Sequence, residues 1–510
     1  MTSGAKNWIA TGNRGLILGL ALFLLLVSLS WIGFIASDDA TFAKGAYGWI
    51  DAFPGLYVGG HGTIRYLITI PMALSFTLFG ENSFAMVLPS LLYVLGFLII
   101  TWRITRNVAG PLSAALALGL LATSPLLVIQ SSISNVDVIE MFFLFASVYL
   151  VWSCLDSGPN TKRLLLAGVM AGCAFLTRET AIFIAVFYAI LFVAGHRFHR
   201  KHYLWIAAGF ILTWCVELAY LWAMTGDPLY RFNISMHHDS SIDRAVDLAG
   251  NVIAHPLIDP LLVLLFNQEF MVLFLVAIPL GGWLCFARGI DPRVQHFARI
   301  IALFGLVWFL SAGGAQSLLP LNPRYFMITC AAACILTGMA LAQIEWKRVP
   351  RFWPVMLGGL ILGTNLLGTY VENKDGAFAA RTLAALAERY RGTVIITDPA
   401  TRLRATVPLR WEKAQDQVVA GLPKPGMFYF GNPLSVEKPN PWIKAEQLSA
   451  YSPKPGWREI ARFEPDVPYA ARAIEALGLD GRIPQPIWRK LRYRHPPVSL
   501  YSVPPTQQNP

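Results

Sequence analysis

The chain is short of charge. Asp, Glu, Lys and Arg make up 14% of its 510 residues, against about a quarter in a typical globular protein. That shortage excludes a chain solvated mainly by water. Cysteine is scarce as well. The six present (Cys154, Cys173, Cys215, Cys285, Cys330 and Cys334) all lie in or beside apolar runs, and none follows Cys334. The last quarter of the chain therefore has no thiol with which to form a disulfide, even in an oxidising compartment. There is no Cys-x-x-Cys pair, no Cys/His spacing of a zinc site, no internal repeat and no low-complexity tract.

Apolar residues fill the space that charge leaves, at 55% of the chain and a mean hydropathy of +0.51. Their runs recur over residues 1–371, and about 18 apolar residues suffice to cross a bilayer. Eleven spans are expected, at 15–35, 84–102, 111–130, 137–154, 164–177, 180–195, 203–224, 270–287, 298–312, 325–343 and 352–371. The interrupted apolar stretch 62–80 reads as a helix lying in the outer interface. The first run follows Lys6 and Arg14 but is longer than the roughly 7–15 apolar residues of a signal peptide, so it reads as an uncleaved anchor. An odd number of spans puts the termini on opposite sides. With the N-terminus in the cytoplasm, the inner segments hold 15 Lys and Arg residues and the outer loops of the same region only 6, the asymmetry of the positive-inside rule.

Composition changes from Glu372 onward. This tail, 372–510, carries 18 of the 33 prolines, and 20 Lys and Arg against 13 Asp and Glu. An amphipathic helix over 376–391 and buried strands over Thr393–Thr397 and Met427–Gly431 indicate a small α/β domain ending in a loose, Pro-rich terminus. The fold class expected is an α-helical polytopic membrane domain with a C-terminal α/β domain outside the cytoplasm. The tail's excess of positive charge suits anionic headgroups or a negatively charged acceptor, and an outer location excludes nucleic acid.

Polar groups are costly at membrane depth and so mark function. On the cytoplasmic side they are almost all basic, as topology alone requires. On the outer side they are mixed: Asp38, Asp39, Asp51, His61, Arg65, Asp137, Glu140, Arg178, Glu179, His237, His238, Asp239, Asn267, Gln268, Glu269, Asn322, Arg324 and Tyr325. Several sit in motifs of fixed order. Ser37-Asp38-Asp39-Ala40-Thr41-Phe42-Ala43 follows the first span, then His61-Gly62-Thr63-Ile64-Arg65-Tyr66 and, after an apolar stretch, Phe79-Gly80. Leu88-Pro89-Ser90, Thr123-Ser124-Pro125, Asn135-Val136-Asp137, Met141-Phe142-Phe143-Leu144, Phe175-Leu176-Thr177-Arg178-Glu179-Thr180-Ala181 and Pro323-Arg324-Tyr325 complete the series.

In this order and spacing, over about 15–345 and most closely over 37–182, the chain resembles the GT-C glycosyltransferases related to the protein O-mannosyltransferases and the lipid A aminoarabinose transferase. It departs from them at Gly62 and Thr63, where two prolines are common, at Met86-Val87, where an Arg often stands, and at Arg178, more often Lys. The resemblance implies a sugar donor on a polyprenyl phosphate, an acceptor outside the membrane (lipid, glycan or protein), inversion at the anomeric carbon, and modification of a lipopolysaccharide or other glycolipid as one outcome. A bacterial inner membrane is the expected location.

Such a transfer needs a base, cations for the departing phosphate and a dry pocket. Asp39 and Asp38 are the candidate bases, in the loop whose acid the family uses; helix capping is the competing reading, with Asp38 the better cap. Asp137, three residues before Glu140 on one helical face, would orient donor or acceptor or hold a metal beside the first loop, unless it only balances the helix dipole. Arg178 and Arg324, with Tyr325, suit a phosphate, since guanidinium forks match its oxygens. A pair with Glu179 or snorkelling to the headgroups is the alternative for Arg178. His61, Arg65, His237 and His238 read as hydrogen-bonding to sugar or phosphate rather than as metal ligands. No metal is assigned, and the need for a divalent ion or other cofactor stays open. Glu217 reads as a buried structural acid. A transporter or flippase of lipid-linked sugars is the competing function, although repeated halves and broken helices are not evident.

Overall fold

The computed structural model describes residues 13–56, 60–195, 199–237, 255, 258–314, 321–345, 350, 352–437, 449–492 and 495–504. Each stretch read as a span contains a helix, although the first, expected over 15–35, is helical only over Arg14–Leu29. Among the described residues, six helices are long and apolar enough to cross a membrane and four apolar helices are shorter; the chain is a multi-pass membrane protein. Two of the expected spans are joined in one helix, Ser83–Thr123, which breaks where Gly110 takes φ +87 ahead of Pro111. Glycine tolerates that angle where a side chain would crowd the preceding peptide, and Pro111 cannot continue the hydrogen-bond ladder behind it. The helix Tyr66–Phe79 has 14 residues and a length of about 21 Å, short of the roughly 30 Å hydrocarbon core.

Contacts divide the chain into two compact units. The first comprises Met1–Gly33, Lys44–Ser75 and Val87–Glu372. Its most enclosed helices are Val136–Ser157 and Met327–Gln343, buried on nearly every face. The helices Thr161–Thr177 and Tyr203–Thr225 approach closely through small residues. A Cβ on Gly168 would collide with the carbonyl oxygen of Ile206, and one on Gly209 with that of Leu165. Close backbone approach is how helices gain packing where lipid is as apolar as they are. Gly209→Val is expected to destabilise the protein by about 1–3 kcal/mol or more, the usual cost of overpacking. Thermal unfolding in detergent micelles measures this, and a melting temperature unchanged from the parent would contradict the close approach.

The second unit comprises Phe34–Ala43, Phe76–Met86 and Asn373–Pro510. Its five-stranded sheet has the order β2-β1-β3-β5-β4, with β1 at Ile395–Thr397, β2 at Val418–Ala420, β3 at Phe428–Gly431, β4 at Arg458–Phe463 and β5 at Val498–Ser502. β1 pairs in parallel with β2 and β3, while β5 runs antiparallel to both β3 and β4. The amphipathic helix Phe378–Arg389 lays Leu383, Leu386 and Ala387 on a core with Ile395, Leu409, Phe430 and Leu500. The terminus departs from expectation: Val498 and Leu500 are fully buried and their strand lies between β3 and β4, so the chain is ordered into the sheet as far as Ser502. Residues 493–494 and 505–510 of that end lie outside the described residues.

In the same unit, the Phe34 ring meets the Trp411 ring edge-on at 5.7 Å and the Phe34 N–H donates to Ser83 Oγ at 3.2 Å. Arg410 pairs with Glu81 at 3.0 Å. The segment leading into the Asp38–Asp39 loop is therefore held partly by residues more than 300 positions later in the chain.

Candidate active site

Three helix ends in the first unit bring charge together. The helix Val136–Ser157 starts at Asn135, whose side chain accepts the Asp137 N–H at 2.8 Å and fixes Asp137 in the first turn. The helix Thr161–Thr177 stops at Arg178, whose backbone is extended. The turn Pro323–Phe326 opens with Asn322 accepting the Arg324 N–H at 3.1 Å and leads directly into Met327–Gln343. Trp308 Nε1 donates to the Tyr325 carbonyl at 3.1 Å and fixes that turn from the side.

From these positions Arg178 Nη1 donates to Asp137 Oδ1, and Arg324 Nε lies 3.6 Å from Asp137 Oδ2. The Arg178 guanidinium sits 4.2 Å from the centre of the Tyr325 ring and that of Arg324 5.4 Å from it, both within cation–π range. Asp137, Glu140, Arg178, Thr180, Phe183, Trp308, Arg324 and Tyr325 line one cleft. The shared face expected of Asp137 and Glu140 is present, and Glu140 Oε1 accepts from Thr180 Oγ1 at 2.7 Å. Two guanidiniums converge on one carboxylate there, and the cleft's other acid, Glu140, is hydrogen-bonded to Thr180 instead. Such a pair of guanidiniums suits a phosphate, with aromatic rings and hydroxyl partners at hand for a sugar.

Other expected site residues go elsewhere. Arg178 does not pair locally with Glu179. Glu179 instead binds Arg65 at 2.8 Å and Arg231 at 2.9 Å. Arg65 also approaches His61 Nε2 and donates to the Thr177 carbonyl at 2.6 Å, so His61 and Arg65 brace the residues flanking Arg178 and do not line the cleft. Glu217 is buried as expected, paired with Arg231 at 2.9 Å. His237 ends the helix Tyr230–His237, and His238 lies outside the described residues. Among the described residues, no group of three or more His, Cys, Asp and Glu side chains is placed to hold a metal ion.

The acid pair belongs to the second unit, and the cap expected of Asp38 is made by Asp39. Asp39 is fully buried; its Oδ2 accepts the Ile35 N–H at 2.6 Å and its Oδ1 the N–H groups of Ser37 and Ala40 at 2.7 and 3.0 Å. Asp38 is exposed. The cap-like role thus falls to Asp39. The carboxylate closes over a turn in which Ala36 has φ +59, a left-handed conformation that costs an L-residue about 1–2 kcal/mol. Burial pushes the Asp39 carboxyl up to about 6 against the three backbone donors, with the charge of Asp38 adding to the rise.

Sequence reasoning passed over Trp308, Thr180, Phe183 and Arg231. Trp308 is one aromatic within an apolar run, and Arg231 is one loop charge among several. Nothing local distinguishes either. Thr180 follows Arg178 within a motif already singled out, which was the available signal.

Residues 67–221 match the family Dolichyl-phosphate-mannose-protein mannosyltransferase. Among solved structures, the chain is similar to ArnT from Cupriavidus metallidurans, at 12% identity and a TM-score of 0.59, over 90% of this chain and 97% of that one. It also matches the same protein bound to undecaprenyl phosphate, with a TM-score of 0.57. The Archaeoglobus fulgidus oligosaccharyltransferase matches at 10% identity and a TM-score of 0.52, over 80% of this chain and 64% of that one. The arabinofuranosyltransferase AftD from Mycobacteria matches at 15% identity and 0.51, over 98% of this chain and 40% of that one. No curated protein matches. The likeness to GT-C glycosyltransferases is borne out, in fold over most of the chain and in sequence over 67–221.

Proposed function

We propose that this chain is a GT-C glycosyltransferase that moves a sugar from a polyprenyl-phosphate donor to an acceptor hydroxyl outside the membrane, with inversion. The topology proposed with it has eleven spans over 1–371, a cytoplasmic N-terminus and 372–510 as an extracytoplasmic domain, in a bacterial inner membrane. The convergence of Arg178 and Arg324 on Asp137 and the Tyr325 ring carries the reading. The donor is a phosphodiester with one negative charge. When its bond from the anomeric carbon to oxygen breaks, the electron pair stays on the phosphate, which gains a second charge. The acceptor oxygen bonds to that carbon from the opposite face, and its proton passes to an acid of the Asp38–Asp39 loop. A second charge that grows only along the reaction is what prearranged guanidiniums stabilise most. Asp137 keeps both of them in place and at the ready, and Glu140, Thr180 and Trp308 offer hydrogen bonds and a ring face to the sugar.

Transfer of radiolabelled sugar from a polyprenyl-phosphate donor pool to endogenous acceptors, in membranes carrying the parent chain or Asp38/Asp39→Asn, tests the reading and identifies the acceptor class. Donor crossing the bilayer with no label transferred would establish a flippase instead. Arg324 is partly exposed and 3.6 Å from its partner, so its loss should cost less than that of Arg178. Arg324→Ala is expected to reduce kcat/KM for the donor about tenfold, the low end for a hydrogen bond to a charged group. Steady-state kinetics over a donor series measures this, and unchanged donor dependence would remove Arg324 from the phosphate site.

A further inference from the structure

Arg178 is one extended residue between two helical segments, at a break in helical geometry where the flanking residues help set its direction. The last four carbonyls of a helix have no partner within it. At the end of Thr161–Thr177 all four are taken. The Ala174 carbonyl accepts the Arg178 N–H at 2.9 Å. Phe175 accepts from Arg231 Nη2 at 2.8 Å, Leu176 from Arg231 Nη1 at 3.1 Å and Thr177 from Arg65 Nη1 at 2.6 Å. On the other side of Arg178, the Glu179 carboxylate accepts from Arg231 Nε at 2.9 Å and from Ser235 Oγ at 3.1 Å, and pairs with Arg65 at 2.8 Å. The residues just before and just after Arg178 are thus gripped by the same two guanidiniums.

Arg231 is 4% exposed and belongs to the helix Tyr230–His237, more than 50 residues from the segment it grips. Its second counter-charge is Glu217, also 4% exposed, inside the helix Tyr203–Thr225. A buried guanidinium needs both its charge and its donors satisfied, and Glu179 with Glu217 and the two carbonyls does this. We propose that Arg231, balanced by Glu217, is a positioning residue that sets the direction of Arg178 toward the donor phosphate. The inference rests on the phosphate role given to Arg178 above.

The test uses the full chain in detergent, with undecaprenyl phosphate as the probe. Arg231→Lys keeps the charge but not the planar fork that reaches two carbonyls and two carboxylates. Glu217→Gln keeps shape and removes a counter-charge, and serves if the lysine variant does not fold. Either is expected to raise the Kd for the probe about tenfold or more, as a misplacement on the order of 1 Å can do. The same substitution made on top of Arg178→Ala is expected to add nothing, because the residue it positions is gone; a purely structural role would not show that dependence. Equal losses with and without Arg178, or an unchanged Kd in the folded single variants, would overturn the positioning role alone. An unchanged Kd in Arg178→Ala itself would overturn the phosphate reading and this inference with it.

Discussion

Arg178→Ala is expected to lower sugar transfer by two to three orders of magnitude, the usual cost of losing one prearranged partner of a charge that grows in the transition state. Arg178 makes the closest ion pair of the cleft, and its side chain is only 10% exposed against 29% for Arg324. Less water competes with it, so in the proposed role its interaction with the leaving phosphate would be screened least. Asp137 would be left with Arg324 alone at 3.6 Å, and a buried carboxylate losing its main partner also destabilises the fold. Activity must therefore be expressed per folded molecule, with the melting temperature recorded in parallel. Arg178→Lys separates charge from geometry, since lysine offers the charge without the fork or the flat contact on Tyr325. It should recover part of the rate and little of the ring contact. Transfer within threefold of the parent in Arg178→Ala would end the phosphate assignment for this residue.

How much of this was legible follows from range. Apolar runs and basic loops are local signals, and each run read as a span holds a helix, the first shorter than its run. Arg103 and Arg106 showed as a gap between the runs 84–102 and 111–130, whereas the helix continues past them and breaks only at Gly110. The tail's strands were harder. β1 has three residues and a fully buried pattern, whereas β4 is exposed along most of its length, so no alternation announces it. β5 follows two prolines and looked like a loose end until its pairing with β3 and β4 supplied what its sequence lacks.

The site divides in the same way. Asp137, Arg178, Arg324 and Tyr325 lie at ends of apolar runs, where an ionisable group is conspicuous. Arg231 was legible only as a charge, because its partners stand 14, 52, 55 and 56 positions away. The Asp38–Asp39 pair shows the limit within a single turn. Two adjacent acids are equivalent on paper, and the positive φ of Ala36 helps decide which of them folds back on the backbone.

Asp39→Asn tests whether that buried carboxylate also takes the acceptor proton, and the stability terms make it a fair test. With its folded value about 6 above the ordinary 3.8, Asp39 gives the fold its full contribution at pH below 3.8 and loses it as pH rises through 6. By neutral pH its ionisation opposes folding by about 3 kcal/mol. Asparagine removes that cost. It also has one acceptor oxygen where Asp39 uses two, so its amide would face the Ile35 N–H and leave a buried donor unsatisfied, at about 1–3 kcal/mol. The two changes offset, and the melting temperature at pH 7.5 should stay near that of the parent. A lost general base costs about 10²–10⁴ in rate, so transfer should fall at least a hundredfold. In the parent, kcat/KM should decline as pH drops through about 6, because only the ionised carboxylate can accept a proton. Full activity in Asp39→Asn together with a large loss in Asp38→Asn would move the base to the exposed neighbour and leave Asp39 as the residue that holds the turn. Full activity in both would take the base out of this loop altogether.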